Sequence, residues 1–182
     1  MKRIGSAALF VLVAVALMAP SRAHAQGMSG SVERDTESVD AIIAALYDVI
    51  SGPTGEPRDW DRLRSLFLPT ARMIPTQRAP DGTVRYRTMT VDEYIETSGP
   101  MLESVGFTEG EISRELVQFG DVAHVFSTYE AYRDGSTEPL VRGINSIQLI
   151  FDGSRWWISS IAWSPERADF PIPPEYGGDP GT

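Results

Sequence analysis

The chain contains no cysteine among its 182 residues. This absence excludes disulfides, thiolate nucleophiles, cysteine-based zinc sites and a lipid-modified N-terminal cysteine. Lysine and histidine are almost absent as well, because Lys2 is the only lysine and His24 and His124 are the only histidines. No Gly-x-Ser-x-Gly turn presents a nucleophilic serine, and the Gly177-Gly178 pair does not open a helix that could hold a phosphate. We therefore expect neither thiol catalysis nor a nucleotide cradle.

Positive charge is also scarce, since the formal net charge is −9 at pH 7 and the arginines form no cluster. Such a chain is poorly suited to bind nucleic acid or an anionic membrane surface, and we expect neither as a partner. Apolar residues make up 42% of the chain and charged residues 23%. These fractions are typical of one globular domain.

The N-terminus has the pattern of a secretory signal peptide. Lys2 and Arg3 precede an apolar run over residues 4–19, and Ala23-His24-Ala25 follows as a small-x-small cleavage site. The run is short for a bilayer span, which favours a cleaved signal over a membrane anchor. Cleavage after Ala25 leaves 157 residues with a net charge of −12, because the removed segment carries three basic residues and no acid. The sequence thus predicts an exported protein, periplasmic or extracellular, without membrane attachment after cleavage.

The remaining chain reads as one domain between two irregular ends. Residues 26–37 are polar and predict a mobile leader, and residues 168–182 are a Pro/Gly-rich tail. Between them, residues 38–167 predict an α+β domain. Helical spacing of apolar residues predicts helices from Val39 to Ile50, from Pro57 to before Pro69, and from Val91 toward Leu102.

The second half of the domain predicts a four-strand antiparallel meander. The β-rich runs are residues 111–119, 122–133, 139–151 and 155–163, separated by Gly-containing turns. If these turns set the register, Ser127 faces Asn145, Glu130 faces Arg142, and Asn145 faces Ile161. The more apolar face, which should meet the helices, then carries Val125, Ser127, Tyr129, Asn145, Ile147, Leu149, Trp157, Ser159, Ile161 and Trp163. The outer face carries His124, Phe126, Thr128, Glu130, Arg142, Gln148, Trp156 and Ile158.

Several local strings, together with this order of elements, resemble a known superfamily. They are Asp59-Trp60-Asp61, the string over residues 66–71, the turn over residues 152–158 and the terminal Ile161-Ala162-Trp163-Ser164. The chain resembles nuclear transport factor 2-like proteins, the fold of ketosteroid isomerase and the SnoaL-like cyclases, and especially exported bacterial members of unassigned function. The resemblance implies a cone-shaped fold, in which a strongly curved antiparallel sheet wraps around about three helices and leaves a pocket between them. Because this fold hosts unrelated functions, it does not imply an activity.

The resemblance to ketosteroid isomerase is incomplete where the chemistry lies. Its members use a tyrosine on the first helix, a carboxylate base on the first strand and a protonated acid deep in the sheet. Tyr47 and Asn145 lie where the tyrosine and the deep acid belong, but Pro75 and its neighbours in residues 73–76 include no Asp or Glu. Abstraction of a proton beside a carbonyl needs a positioned base, so steroid-type isomerisation is not expected.

The predicted function is therefore that of an exported small-molecule-binding domain with an apolar pocket. Asn145, the only asparagine in the chain, is the candidate ligand-orienting amide, with Tyr47 and Tyr129 as further polar contacts. Trp60 and Trp163 are the candidate walls, although each of these aromatic residues could serve packing alone. We predict no cofactor and no metal, because Asp59 and Asp61 are explained by the dipole of the helix that they begin.

Two alternatives remain open. In the first, the protein is an isomerase, lyase or hydrolase acting on a small hydrophobic substrate, with His124 or Glu130 as a base outside the family pattern; this requires a strand register shifted by one residue. In the second, the protein is a homodimeric interaction module. The outer sheet face then forms the interface, through His124, Phe126, Arg142, Gln148 and Trp156. Such a dimer is compatible with ligand binding.

Overall fold

The computed structural model describes residues 31–179 and shows the predicted α+β class. The helices are α1 (Val39–Ile50), α2 (Trp60–Leu66) and α3 (Val91–Val105). The strands are β1 (Phe67–Arg78), β2 (Val84–Tyr86), β3 (Phe107–Phe119), β4 (Val122–Arg133), β5 (Val141–Phe151) and β6 (Trp156–Pro165), and a 3-10 turn covers Pro174–Tyr176. In this part of the chain, no helix is both long and apolar enough to cross a membrane. The predicted signal peptide lies outside the described residues.

Each of these helices begins after a residue whose side chain caps its N-terminus. The Ser38 hydroxyl caps α1 by accepting the Ala41 N–H at 3.0 Å. Thr90 and Glu93 form the predicted capping box of α3. Two boundaries differ from prediction. Asp59, rather than the residue before Pro57, caps α2, and α3 continues through Pro100 to Val105 instead of ending near Leu102.

The six strands form one mixed sheet in the order β2-β1-β6-β5-β4-β3. The predicted antiparallel meander of β3 to β6 is confirmed. The expectation of a wholly antiparallel sheet is wrong, because β1 pairs with β6 in parallel. The chain between these two strands contains β2, α3 and strands β3 to β5, which is long enough for the crossover that a parallel pair requires.

The predicted register between β4 and β5 is confirmed, with Ser127 opposite Asn145 and Glu130 opposite Arg142. The β5–β6 register differs, since Asn145 faces Trp163 and a bulge follows Gln148. A bulge adds one residue to one strand and reverses which face the following residues occupy.

Because of this bulge, the predicted sides of Trp156, Trp157 and Ile158 are wrong. Trp156 and Ile158 lie in the core rather than on the outer face. The half-buried Trp157 instead donates its indole N–H to Asp152 at 2.7 Å. Trp156 is therefore part of the packing under the sheet and not part of an exposed interface.

Both irregular ends pack against the domain where they are described. Residues 31–36 are helical rather than a mobile leader, with Thr36 buried and Asp35 paired with Arg62 at 2.7 Å. The C-terminal tail crosses the outer face of the sheet. The ring of Tyr176 lies 5.0 Å from that of Phe126, edge to face.

Arg58 organises the loop between α1 and α2. It is only 8% exposed, and its guanidinium donates to five backbone carbonyls: those of Ile50, Gly52, Pro53, Glu56 and Leu102. These carbonyls come from the end of α1, the loop and α3. One side chain thus joins three segments and satisfies acceptors that would otherwise be buried without a partner.

We expect Arg58→Met to destabilise the protein by about 3 kcal/mol or more, because it leaves several buried carbonyls unpaired. Chemical denaturation measures this loss. Arg85→Met is the matched control, since Arg85 is exposed on β2, and it should change stability by less than about 0.5 kcal/mol. Similar small effects for both variants would contradict the role assigned to Arg58.

Candidate functional site

A cavity of about 390 Å³ lies between α1, α3 and the inner face of the sheet. Its walls are mostly apolar, and its polar groups come from a few positions on the strands and on α3. This composition is the usual one for a small-molecule site. The lining residues are Leu46, Ile50, Met73, Pro75, Thr76, Gln77, Tyr94, Ser98, Met101, Leu102, Phe107, Glu109, Tyr129, Val141, Asn145, Ile161, Trp163 and Pro165.

Glu109 on β3 is the single carboxylate in this lining. It pairs with the fully buried Ala131 of β4, which directs its side chain to the inner face of the sheet. Its N–H donates to the Ser51 hydroxyl at 3.0 Å, so the end of α1 holds this part of β3 in place. Burial raises the pKa of Glu109 to about 7, and a hydrogen bond from the Asn145 side chain opposes this rise.

A chain of hydrogen bonds behind the cavity fixes the orientation of the Asn145 amide. Asn145 Nδ2 donates to the Tyr47 hydroxyl at 3.0 Å, and Tyr47 lies 2.7 Å from the Ser127 hydroxyl. Ser127 donates to a carboxylate oxygen of Glu111. Since the single Ser127 proton is used there, Tyr47 must donate to Ser127, and its oxygen is free to accept from Asn145.

The outer end of this chain is charged. The Glu111 carboxylate pairs with Arg114 at 2.7 Å, and Arg114 also contacts Asp40 on α1. The Glu111 carboxylate can only accept, so it sets the direction of each hydrogen bond in the chain from Ser127 to Asn145. As a result, the Asn145 amide group points its N–H atoms toward Tyr47 and Glu109.

Three tyrosines interact with the carboxyl group of Glu109. Burial raises the pKa of Tyr47, Tyr94 and Tyr129, and the nearby charge of Glu109 adds to the rise in each case. The ring of Tyr94 stands edge to face against Trp163, with centroids 6.2 Å apart. All three phenols therefore remain neutral across the physiological range and act as hydrogen-bonding groups or as aromatic surfaces.

Of the predicted ligand contacts, Tyr129, Asn145 and Trp163 lie in the cavity lining. Tyr47 lies one layer behind, where it holds Asn145. Trp60 is outside the lining, contrary to prediction: its indole N–H donates to Glu103 at 3.0 Å. Its ring packs against Gly99 so closely that a Cβ there would lie 3.1 Å from it. Trp60 thus joins α2 to α3.

The two predicted bases lie on the outer face, away from the cavity. His124 Nε2 lies 3.1 Å from the Ser146 hydroxyl. Glu130 accepts from Tyr132 at 2.6 Å and lies 3.1 Å from Arg142 Nε. Because the observed register keeps both residues off the inner face, neither can serve a reaction in this cavity.

The other predicted interface residues share this outer face. Gln148 is exposed and pairs with His124. Phe126 and Arg142 are each contacted by the tail, Phe126 by Tyr176 and Arg142 by Asp179 at 3.4 Å. Within residues 31–179, no three acidic or histidine side chains converge as metal ligands.

Glu109 is the candidate site residue that sequence analysis missed. The prediction began β3 at Glu111, which left Glu109 in the preceding connection. The signal was nevertheless present, since Phe107, Glu109 and Glu111 alternate along one strand and share the face of the buried Phe107. A carboxylate two residues from a buried aromatic residue is a candidate inner-face acid.

We expect Glu109→Gln to stabilise the empty protein at pH 8 and to change little at pH 4. Between the ordinary pKa of 4.5 and the folded value of about 7, the unfolded carboxyl is ionised while the folded one keeps its proton. Stability therefore falls as pH rises through this window and changes no further above it. The gain at pH 8 should be between about 1 and 3 kcal/mol, because partial access to the cavity screens the charge.

Thermal or urea unfolding of both proteins from pH 4 to pH 8 measures this difference. Glu115→Gln is the matched control, because Glu115 is exposed on the same strand. A pH-independent difference between wild type and Glu109→Gln would contradict the raised pKa.

Comparisons with known proteins show the fold and assign no activity. No protein-family model matches the chain, and no curated protein matches it significantly. A cystatin-like-fold protein of unknown function from Nostoc punctiforme is similar at a TM-score of 0.55 and 9% identity, over 71% of this chain and 90% of that chain. A protein of unknown function from Mycobacterium tuberculosis is similar at a TM-score of 0.54 and 17% identity, over 83% and 78%.

An NTF-2-like protein of unknown function from Silicibacter pomeroyi matches at a TM-score of 0.46 and 15% identity, over 71% of this chain and 94% of that chain. The structural neighbours include this protein described as NTF-2-like, while the two matches with TM-scores above 0.5 show the shared fold. Identities this low show the fold alone.

Proposed function

We propose that this protein binds a small, largely apolar molecule in the cavity between the helices and the sheet. The observation that carries the proposal is the polar cluster of Asn145, Glu109 and Tyr129 in a mostly apolar lining. Apolar walls supply affinity by burying surface, and a few fixed polar groups supply orientation. The hydrogen-bond chain through Tyr47 prepares the Asn145 amide before a ligand arrives.

Export belongs to the same proposal. A protein that is exported by the predicted signal peptide and cleaved after Ala25 would meet ligands outside the cytoplasm. Native mass spectrometry of the mature protein, purified gently from the compartment to which it is exported, reports both features. Its chain mass gives the cleavage site, and any additional mass gives the ligand that it retains.

Asn145→Leu should abolish retention of that mass or weaken its binding at least about tenfold. The substitution removes the oriented amide while filling a similar volume, and an unpaired polar group on the ligand is costly. Gln148→Leu is the matched control, because Gln148 is exposed on the opposite face of the same strand. Equal retention by both variants, or by neither, would contradict the assigned site.

Proton transfer by Glu109 is a second candidate function, favoured by its pKa of about 7. A base of that strength is suited to work near neutral pH. This candidate keeps the predicted class of isomerase, lyase or hydrolase but replaces Glu130 and His124 with Glu109. In such a step, a C–H bond beside a carbonyl breaks, its electron pair forms an enolate, and the proton moves to a Glu109 oxygen.

Deuterium exchange tests this candidate without a known product. With 2-indanone in D₂O at pH 7.5, the wild-type protein should raise the rate of deuterium uptake at the α-carbons above the buffer rate. Glu109→Gln should lower that increment by at least about 100-fold, since general-base catalysis contributes roughly 10²–10⁴. Glu115→Gln should retain it. Uptake at the buffer rate with wild-type protein would contradict proton transfer by Glu109 from this probe.

A further inference from the structure

The cavity holds an acidic group, Glu109, with no positive partner. Its lining includes no arginine, lysine or histidine, and among residues 31–179 no arginine forms an ion pair with Glu109. By contrast, the neighbouring inner-face acid Glu111 is paired with Arg114. A buried carboxylate without a cation is unfavourable when ionised. The missing charge can be supplied by a ligand.

The surroundings of Glu109 suit a cation in a second way. Tyr94 and Tyr129 line the cavity beside it, and Trp163 stands edge to face against Tyr94. Aromatic faces attract cations through the negative potential of the ring, most strongly where water is excluded. The same rings would bury the apolar part of a ligand.

An anionic ligand is disfavoured by the same features. It would meet Glu109 in a cavity of low polarity, inside a chain whose net charge is −9. A neutral ligand would fit the walls but leave the carboxylate unpaired. A cation alone would gain from the carboxylate, the rings and the overall charge together.

We propose that the ligand of this cavity is a small apolar amine, whose ammonium group is held by the Glu109 carboxylate and flanked by the rings of Tyr94 and Tyr129. This inference rests on the proposed binding function and names the chemical class of its ligand. The Asn145 amide then holds one carboxylate oxygen in place and leaves the other for the ammonium group.

Binding of such an amine depends on the charge of Glu109. The ionisable groups that interact with it are Tyr47 from α1, Tyr94 from α3 and Tyr129 from β4, and Glu111 shares its face of β3. Strands β1, β5 and β6 contribute no ionisable side chain to the lining. The tyrosines stay neutral, so Glu109 is the group in the lining that changes charge near pH 7.

Three probes with one hydrocarbon frame test the proposal: 1-adamantylamine, 1-adamantanol and adamantane-1-carboxylate. Isothermal titration calorimetry with the mature protein gives their affinities at pH 8.5 and pH 5.5. At pH 8.5 the amine should bind at least about tenfold more tightly than the alcohol, as expected for a charge-assisted contact. The carboxylate should bind weakest of the three.

The preference for the amine should fall about tenfold at pH 5.5, where Glu109 holds a proton and the amine is still charged. In Glu109→Gln the amine and the alcohol should bind alike at both pH values. Glu115→Gln is the control for net charge and should keep the preference. The pH comparison uses the wild-type protein, so it stands even if a variant fails to fold.

The outcomes separate this inference from the proposed function. If the alcohol and the amine bind equally in the wild type, the amine assignment is overturned while ligand binding stands. If the preference persists in Glu109→Gln, the overall negative charge causes it and the role of Glu109 is overturned. If none of the three probes binds, both the proposed function and this inference fail for ligands of this size.

Discussion

The direction of one side-chain amide governs the chemistry of the cavity. Asn145 can present either its N–H atoms or its oxygen to Glu109, and only the first choice stabilises a carboxylate. Tyr47 decides between them, because its own proton goes to Ser127 and its oxygen must accept. The decision originates at the ion pair of Glu111 with Arg114. The ion pair at the edge of the sheet thus determines which side of the Asn145 amide faces Glu109.

Burial of the Glu109 carboxyl is expected to lower the stability of the empty domain above pH 4.5, and this cost supports the proposed ligand site. The core around it is assembled from aliphatic and aromatic side chains that need no acid. A neutral glutamine could make the same bond to Asn145 without any desolvation of charge. Perturbed carboxylates cluster at sites where ligands or substrates repay the cost. The buried guanidinium of Arg58 differs because it donates to five backbone carbonyls, and its role is structural.

Much of this fold follows from the sequence, because turns and periodicity are local signals. The Gly135 turn fixed the pairing of Asn145 with Ser127, and so placed both on the inner face. The β6 bulge has no comparable signal in the sequence, and it reversed the faces of the sheet on which Trp156 and Trp157 lie. Glu109 was missed for a related reason, since strand ends are set by pairing with a distant strand. Trp60 shows the same limit, because its contact with Gly99 depends on how two helices pack.

The C-terminal tail covers part of the outer face of the sheet, whereas the inner face packs against the helices and lines the cavity. Thr128 donates to the Tyr176 carbonyl at 2.6 Å, and Arg142 lies 3.4 Å from both Glu166 and Asp179. Arg142 is therefore neutralised by acids and is no site for an anionic ligand. A homodimer through this face must either displace the tail or use the β3–β4 end, where Phe119 is 87% exposed. The second route leaves the tail contacts intact, and neither route involves the cavity, so ligand binding and self-association can operate independently.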